Sequence, residues 1–331
     1  MAELLLAKGY AVHGIVRRAS MFNRSRIDHL RLDPSIGPDR LALHYADLHD
    51  STTLRRLLHR LRPDELYHLA GQSHVGLSFE IPESTCQEIA HCTLALLEIC
   101  RDLSHPVRFY HASSSEIFGR PVEHDVPQNE STPFRPTSPY GCAKAFATNL
   151  CQVYRESYGM FVCSGISYNH ESPRRGENFV TRKISLSAAR IKAGLQEELS
   201  LGNLSAARDW GYAAEYVDAM WRMIQAAEPR DYVIATGAAH TVRDFVCAAF
   251  SELGITLVFE GTGAEELGRD SASGLTLVRV DARFFRPADP DRLIGDPRRL
   301  VNDLQWQAKI MTPELAALMA RADFGELAGS N

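Results

Sequence analysis

The strongest constraint on the fold is a rhythm. Short apolar runs at residues 10–16, 41–46, 65–69, 107–112 and 161–167 alternate with amphipathic stretches at 51–61, 82–103 and 138–158. Apolar runs of that length, spaced by helices of about 10–20 residues, specify βαβ units, which assemble into a parallel, doubly wound α/β sheet. The rhythm breaks at 169–203, where "NHESPRRGENF" follows neither period. A helix at 215–227 and a strand at 232–236 return to it. A helix at 241–254 and a loop punctuated by Pro287, Pro290 and Pro297 then belong to a second, smaller unit. The expectation is two interleaved domains, 1–168 plus about 209–238 and about 169–208 plus 239–331, with a ligand cleft between them.

Bulk properties narrow the function. At 331 residues the chain can hold one large or two moderate domains. A net charge of −5 argues against a nucleic-acid partner, which favours basic surfaces. Seven cysteines, scattered singly with no CxxC or Cys/His ligand spacing, read as reduced thiols in the cytoplasm and suggest no metal. The N-terminal apolar run is three leucines beside Glu3, which is not expected to act as a signal peptide. No window approaches the ~18 apolar residues of a membrane span.

The chemistry concentrates in two motifs. In "SPYGCAK", Ser138 suits an N-cap and Pro139 the first helical position. Tyr140 and Lys144 then fall at i and i+4 on one helix face. An ammonium near a phenol favours the phenolate, bringing a pKa of about 10 toward neutrality, so Tyr140 is a candidate proton acceptor. Tyr and Lys at this spacing also occur by chance in many helices, and the motif needs context. "FYHASSSEIFG" supplies it with a polar cluster, Ser113 to Glu116, directly after an apolar strand. Doubly wound sheets bind ligands at the carboxyl ends of their strands. The plainer alternative is a serine-rich turn that merely caps the strand, with Glu116 solvated.

Strand, serine-rich turn and YxxxK helix together resemble the extended short-chain dehydrogenase/reductases. In these Rossmann-like enzymes the turn hydroxyl and the Tyr polarise a substrate alcohol while the Lys holds the nicotinamide ribose. Glu116 subdivides the resemblance. Epimerisation at one carbon needs only hydride removal and return, whereas a carboxylate beside the hydroxyl adds the second proton-transfer group that dehydration requires. Longer stretches, "GIVRRAS", "LHYADLHDST", "GQSHVGLSFE", "NHESPRRGENFVTRKIS", "LGNLSAARDWGYA", "EYVDAMW" and "FRPADPDRLIGD", resemble the GDP-mannose 4,6-dehydratase family over nearly the whole chain.

That resemblance implies a lyase of deoxysugar biosynthesis. C4 of GDP-D-mannose is oxidised onto bound NADP, water is lost across C5–C6, and the hydride returns to C6 to give GDP-4-dehydro-6-deoxy-D-mannose. It implies Tyr140 as the base for the C4 hydroxyl proton and Ser114 as the hydroxyl donor, where the family usually has Thr. Glu116 would remove the C5 proton and protonate the departing C6 hydroxyl, and Lys144 would orient the ribose. Cofactor contacts are implied at Arg17, Arg18 and Ser20, at Asp47 and Leu48, at Leu69, Ala70, Gly71, Gln72 and Ser73, and at Tyr140, Lys144, His170 and Arg175. Two guanidiniums where an acidic residue would favour NAD suit the 2′-phosphate of NADP. Ser84 departs from a Tyr often found there. Substrate contacts are implied at Asn169, Val180, Lys183, Asn203, Arg208 and Arg286, with Asp289 near an acidic position for the nucleoside. Arginines suit diphosphate oxygens because they bind them bidentately. The resemblance also implies a homodimer or homotetramer in which the segment after Arg18 reaches a neighbour's cofactor site, and no metal.

Members of that family open with a strand and a GxxGxxG turn before the helix whose tail is seen in "LLLAKG". The glycines of "GTGAEELG" at 261–268 follow no first strand and read as a loop. The expectation is that strands 10–16 and 65–69, parted by the loss of the strand between them, either pair with each other or keep unsatisfied edges, and that the working chain begins about 25–40 residues upstream. The competing readings are a cofactor-poor, non-catalytic GDP-sugar-binding homologue and a related GDP-hexose epimerase or reductase.

Overall fold

The structure, a computed structural model, describes residues 1–20, 24–120, 126–284 and 292–329. Its first half runs α1 (Ala2–Ala7), β1 (Val12–Val16), α2 (Asp28–Arg31), β2 (Leu41–Tyr45), α3 (Ser51–Leu61), β3 (Glu65–His68), α4 (Pro82–Cys86), α5 (Cys92–Asp102), β4 (Arg108–Ser114), α6 (Pro139–Tyr158) and β5 (Val162–Ser167). Local chemistry sets these bounds. Asp50 caps α3 by accepting the Thr53 amide at 2.9 Å, and Leu54, Leu57 and Leu58 turn into the core. Ser138 caps α6 by accepting the Gly141 amide at 3.0 Å, and Gly159, at φ 64°, ends that helix in the left-handed conformation. The helix expected at 82–103 forms as α4 and α5 joined by a π-turn at Gln87–His91.

The second half runs β6 (Asn169–Glu171), α7 (Val180–Lys192), β7 (Leu199–Leu201), β8 (Ala207–Arg208), β9 (Trp210–Tyr212), α8 (Ala213–Gln225), β10 (Tyr232–Ile234), β11 (His240–Thr241), α9 (Val242–Glu252), β12 (Leu257–Glu260), β13 (Leu267–Asp270), β14 (Thr276–Val280), β15 (Arg292–Leu293), α10 (Arg298–Leu304) and α11 (Thr312–Gly329). The chain divides into two compact units. One comprises Met1–Ile117, Phe134–Ile166 and Val217–Tyr232; the other comprises Phe118–Pro133, Ser167–Tyr216 and Val233–Asn331.

In the first unit β1 pairs in parallel with β2, and β3 in parallel with β4 within a sheet of order β10-β5-β4-β3. Among the described residues no ladder joins β1 to β3, so the sheet is interrupted between them and the two strands do not pair with each other. Side chains bridge instead. The Tyr10 hydroxyl donates to Glu65 at 3.0 Å and accepts from the Trp221 indole at 3.0 Å, while Gln225 and Tyr67 donate to the same carboxylate at 2.7 and 2.8 Å. Leu54, Leu97, Ile99, Phe109, Cys151 and Val162 form the core between the helices and β4–β5.

The second unit packs α7, α9 and α11 around Trp210, Phe245, Phe250, Leu315 and Met319. Its largest sheet has the order β12-β13-β14-β7, mixed in direction. Arg182 of α7 is ion-paired with the fully buried Asp323 of α11, and Ser185 donates to that carboxylate at 2.6 Å.

Candidate active site

Strand β4 continues past its expected end at 112 and carries Ser113 and Ser114 within the strand; the turn that follows is the single 3-10 turn Ser115–Ile117. The reason is side-chain satisfaction. Ser113 Oγ bonds Thr148 Oγ1 of α6 at 2.7 Å, so the serine is held as strand rather than released as a cap. Ser114 Oγ accepts the Glu116 amide at 3.3 Å.

Helix α6 meets that turn through Gly141. A Cβ there would stand 2.7 Å from the Glu116 carbonyl oxygen, which brings the N-terminal turn of α6, with Tyr140, against the Ser114–Glu116 turn. Tyr140 and Lys144 are each 8% exposed, and Glu116 is half-buried rather than solvated. Lys144 Nζ donates to the Ala112 carbonyl at 2.6 Å and lies 5.8 Å from the Tyr140 ring centroid. Burial pulls the Lys144 pKa down to about 8, so it keeps its proton at neutral pH but not far above. All four expected catalytic residues therefore lie in one unit, on β4, its turn and α6.

Beneath them are two residues that sequence reading passed over. His68 and His111 are register partners on β3 and β4 with ring centroids 5.9 Å apart, and both are buried. Burial, and then the nearby Lys144 charge, keeps both imidazoles neutral, His68 at about 3 and His111 well below its ordinary value. Their signal was a His at matched positions of two predicted strands.

Residues expected at the cofactor are distributed along strand ends. Arg17, Arg18 and Ser20 are exposed after β1. Leu69, 44% exposed, and Ala70 open the loop after β3, where Gly71 holds φ 138° with its Cα facing Ile89. The Gln72 carboxamide is spent on the His74 carbonyl and on Thr85 of α4, and Ser73 beside it is exposed. Asp47 accepts the His49 amide at 2.9 Å and shapes its own turn, while Leu48 packs on the core. Ser84 lies on α4.

In the second unit, His170 on β6 donates Nδ1–H to the Tyr168 carbonyl at 2.9 Å and stacks on Tyr216 at 5.1 Å. Burial brings its pKa down to about 4, leaving a neutral ring whose Nε2 can only accept. Asn169 opens the same strand and Val180 opens α7. Lys183, one turn into α7, lies over the Phe284 ring at 3.8 Å, its pKa lowered by burial. Arg208 is buried on β8 and donates to the Ala207 carbonyl at 2.7 Å. Two expected contacts have internal work: Asn203 Oδ1 accepts the Ser205 amide, and Arg175 lies 3.1 Å from Glu171 and 3.6 Å over the Phe179 ring. Arg286 and Asp289 lie outside the described residues. Glu171 and Asp209 were missed. Asp209, 1% exposed, gathers Thr236 and Gly237 amides at 2.9 and 3.0 Å beside Arg208. Among the described residues no group of His, Cys, Asp or Glu is placed to hold a metal ion, and no helix is long and apolar enough to cross a membrane.

Comparison with known proteins gives a consistent answer. A family model described as GDP-mannose 4,6 dehydratase matches residues 1–319. GDP-mannose 4,6 dehydratase 2 of Caenorhabditis elegans is 49% identical over 328 residues, covering 98% of this chain and 85% of its own. GDP-mannose 4,6-dehydratase of Sinorhizobium fredii (strain HH103) is 49% identical over 332 residues, covering 100% and 94%. Among solved structures, that of RMD from Pseudomonas aeruginosa complexed with NADPH superposes with a TM-score of 0.73 at 23% identity, covering 90% of this chain and 95% of that one. At that identity the likeness speaks for the fold.

Proposed function

We propose that the chain, which belongs to the GDP-mannose 4,6-dehydratase family, converts GDP-D-mannose to GDP-4-dehydro-6-deoxy-D-mannose and water with NADP as its resident cofactor. The observation that carries this reading is the seating of Gly141 on the Glu116 carbonyl, which puts a phenol, a hydroxyl and a carboxyl group on adjoining turns. The residues fit a dinucleotide. Gly71 keeps the loop after β3 free of a side chain, and Leu69 offers an apolar face beside it. Arg17 and Arg18 would hold a 2′-phosphate, Lys144 the ribose, and His170 a donor group through Nε2. Bound NADP supplies a reversible store for hydride.

The protein's own residues move the protons. Tyr140, with the Lys144 ammonium stabilising its ionised form, takes the C4 hydroxyl proton, and Ser114 hydrogen-bonds the same oxygen. Once C4 is a ketone its neighbour C5–H is acidic, and Glu116 removes that proton and delivers one to the C6 oxygen, which leaves as water. The two protons removed, from O4 and C5, balance the two delivered, one to the departing hydroxyl and one back to C5. A GDP diphosphate is assigned to Lys183, Arg208 and Arg286 by charge. The seven free cysteines suit a reducing cytoplasm, and exposed Leu94, Phe146 and Val153 on α5 and α6 suit burial against a second copy in a homodimer or homotetramer. Part of the segment assigned to a neighbour's cofactor site, Met21 to Asn23, lies outside the described residues.

Replacing Glu116 by Gln tests the assignment. The variant is expected to lose dehydration by about 100-fold or more, the size of a proton-transfer contribution, while oxidation at C4 persists in part. Formation of the 4-keto product, followed by its absorbance in alkali, is the measurement; normal dehydration by the variant removes Glu116 as the C5 base.

A further inference from the structure

We infer that Glu171 is a positioning residue that couples cofactor binding to nucleotide-sugar binding, an inference that rests on the dehydratase reading above. Glu171 ends β6, is 2% exposed, and has no part in the proton transfers. Its Oε2 accepts the Thr181 hydroxyl at 2.6 Å and lies 3.1 Å from Arg175 Nε, whose N–H points off the line to the oxygen, so that contact is ionic. Burial pushes the carboxyl pKa up, and Arg175 and then Thr181 oppose the rise.

The partners lead in opposite directions. Thr181 is 1% exposed in the first turn of α7, next to Val180 and two positions before Lys183, on the substrate side. Arg175, over the Phe179 ring, and His170, the neighbour of Glu171 along β6, are on the cofactor side. One buried carboxylate thus ties both sets within the stretch 169–183. A ligand that orders one set leaves less ordering to be done by the second. Linkage makes the effect reciprocal: each ligand tightens the other by the same factor.

The test is calorimetric titration of the full chain with NADP, with and without saturating GDP, and the converse. GDP is expected to tighten NADP binding at least about fivefold, the lower end of ordinary coupling, with the same factor for NADP on GDP. Glu171→Gln keeps an acceptor for Thr181 but loses the charge facing Arg175; Thr181→Val removes the other tie. Both should reduce the coupling below about twofold, and Thr181→Ser should restore it. Coupling that survives in both variants overturns the inference. So does its absence in a wild-type chain that binds both ligands, or variants whose affinities and melting fall together while the coupling factor stands. A wild-type chain that binds neither NADP nor GDP overturns the dehydratase reading, and this inference with it.

Discussion

Replacing Lys144 by Met should cost the protein its chemistry and not its stability. Burial brings the Lys144 pKa from 10.5 to about 8. At about 1.4 kcal/mol for each tenfold, holding that ammonium charged in the folded state costs about 3 kcal/mol at pH 7. Met fills similar volume without the charge. It forfeits the 2.6 Å hydrogen bond to the Ala112 carbonyl, a charge-assisted bond worth about 1.5–3 kcal/mol. The variant should therefore match or exceed wild-type stability by up to about 2 kcal/mol at pH 7. The sign with pH follows from the lowered folded pKa. Between about 8 and 10.5 the unfolded chain holds a proton that the folded chain has released, so wild-type stability rises with pH there, and the variant's does not. Urea unfolding of both proteins at pH 7, 8.5 and 10 measures the difference, and dehydration should fall by about 100-fold or more. A difference that stays flat with pH, or a variant less stable by more than about 2 kcal/mol at pH 7, refutes the reasoning.

Three further outcomes are expected. Asp323→Ala leaves Arg182 charged with its buried partner gone and should lower unfolding free energy by about 3–5 kcal/mol, read by denaturant titration. Gly211→Ala would place a Cβ 2.2 Å from the Tyr216 ring, which stacks on His170. It should weaken NADP binding measurably more than GDP binding in paired titrations. Replacing Arg17 and Arg18 together by Ala should raise KM for NADP by about tenfold or more and leave any use of NAD unchanged, seen in initial rates with each cofactor.

The shared face of Tyr140 and Lys144 was legible because its signals are local. An N-cap Ser, a Pro at the first helical position and an i, i+4 pair fix the face that Tyr140 and Lys144 share, whatever else the chain does. The end of β4 was misplaced because Ser113 is held by Thr148, 35 positions away, a contact with no trace in strand propensity. His68, His111 and Glu171 escaped for a related reason. A buried polar residue is recognisable only by its partners, and those come from other elements: Thr93 for His68, Thr181 and Arg175 for Glu171. Gln72, Asn203 and Arg175 show the converse, since side chains that look available in sequence are already engaged in shaping their own loops.

The interrupted sheet separates two tasks that share one unit. Ser114, Glu116, Tyr140 and Lys144 stand on β4, its turn and α6, and β4 is paired on one side with β3 in unbroken register from Glu65–Arg108 to His68–His111. Arg17 and Arg18 follow β1, which among the described residues ladders with β2 alone. Among the described residues β1 and β3 are linked through side chains, with Tyr10, Tyr67 and Gln225 all donating to Glu65 and Tyr67 packing on the cluster that holds Val12. A backbone ladder fixes strand spacing at about 4.8 Å along its whole length, whereas a side-chain cluster fixes it at one point. In the function proposed above, the residues assigned to proton transfer therefore stand on the more rigid of the two arrangements, and the arginines assigned to a cofactor phosphate on the softer one. Losses that reach β1 should appear first in cofactor affinity, with the chemistry of fully bound enzyme the last thing to change.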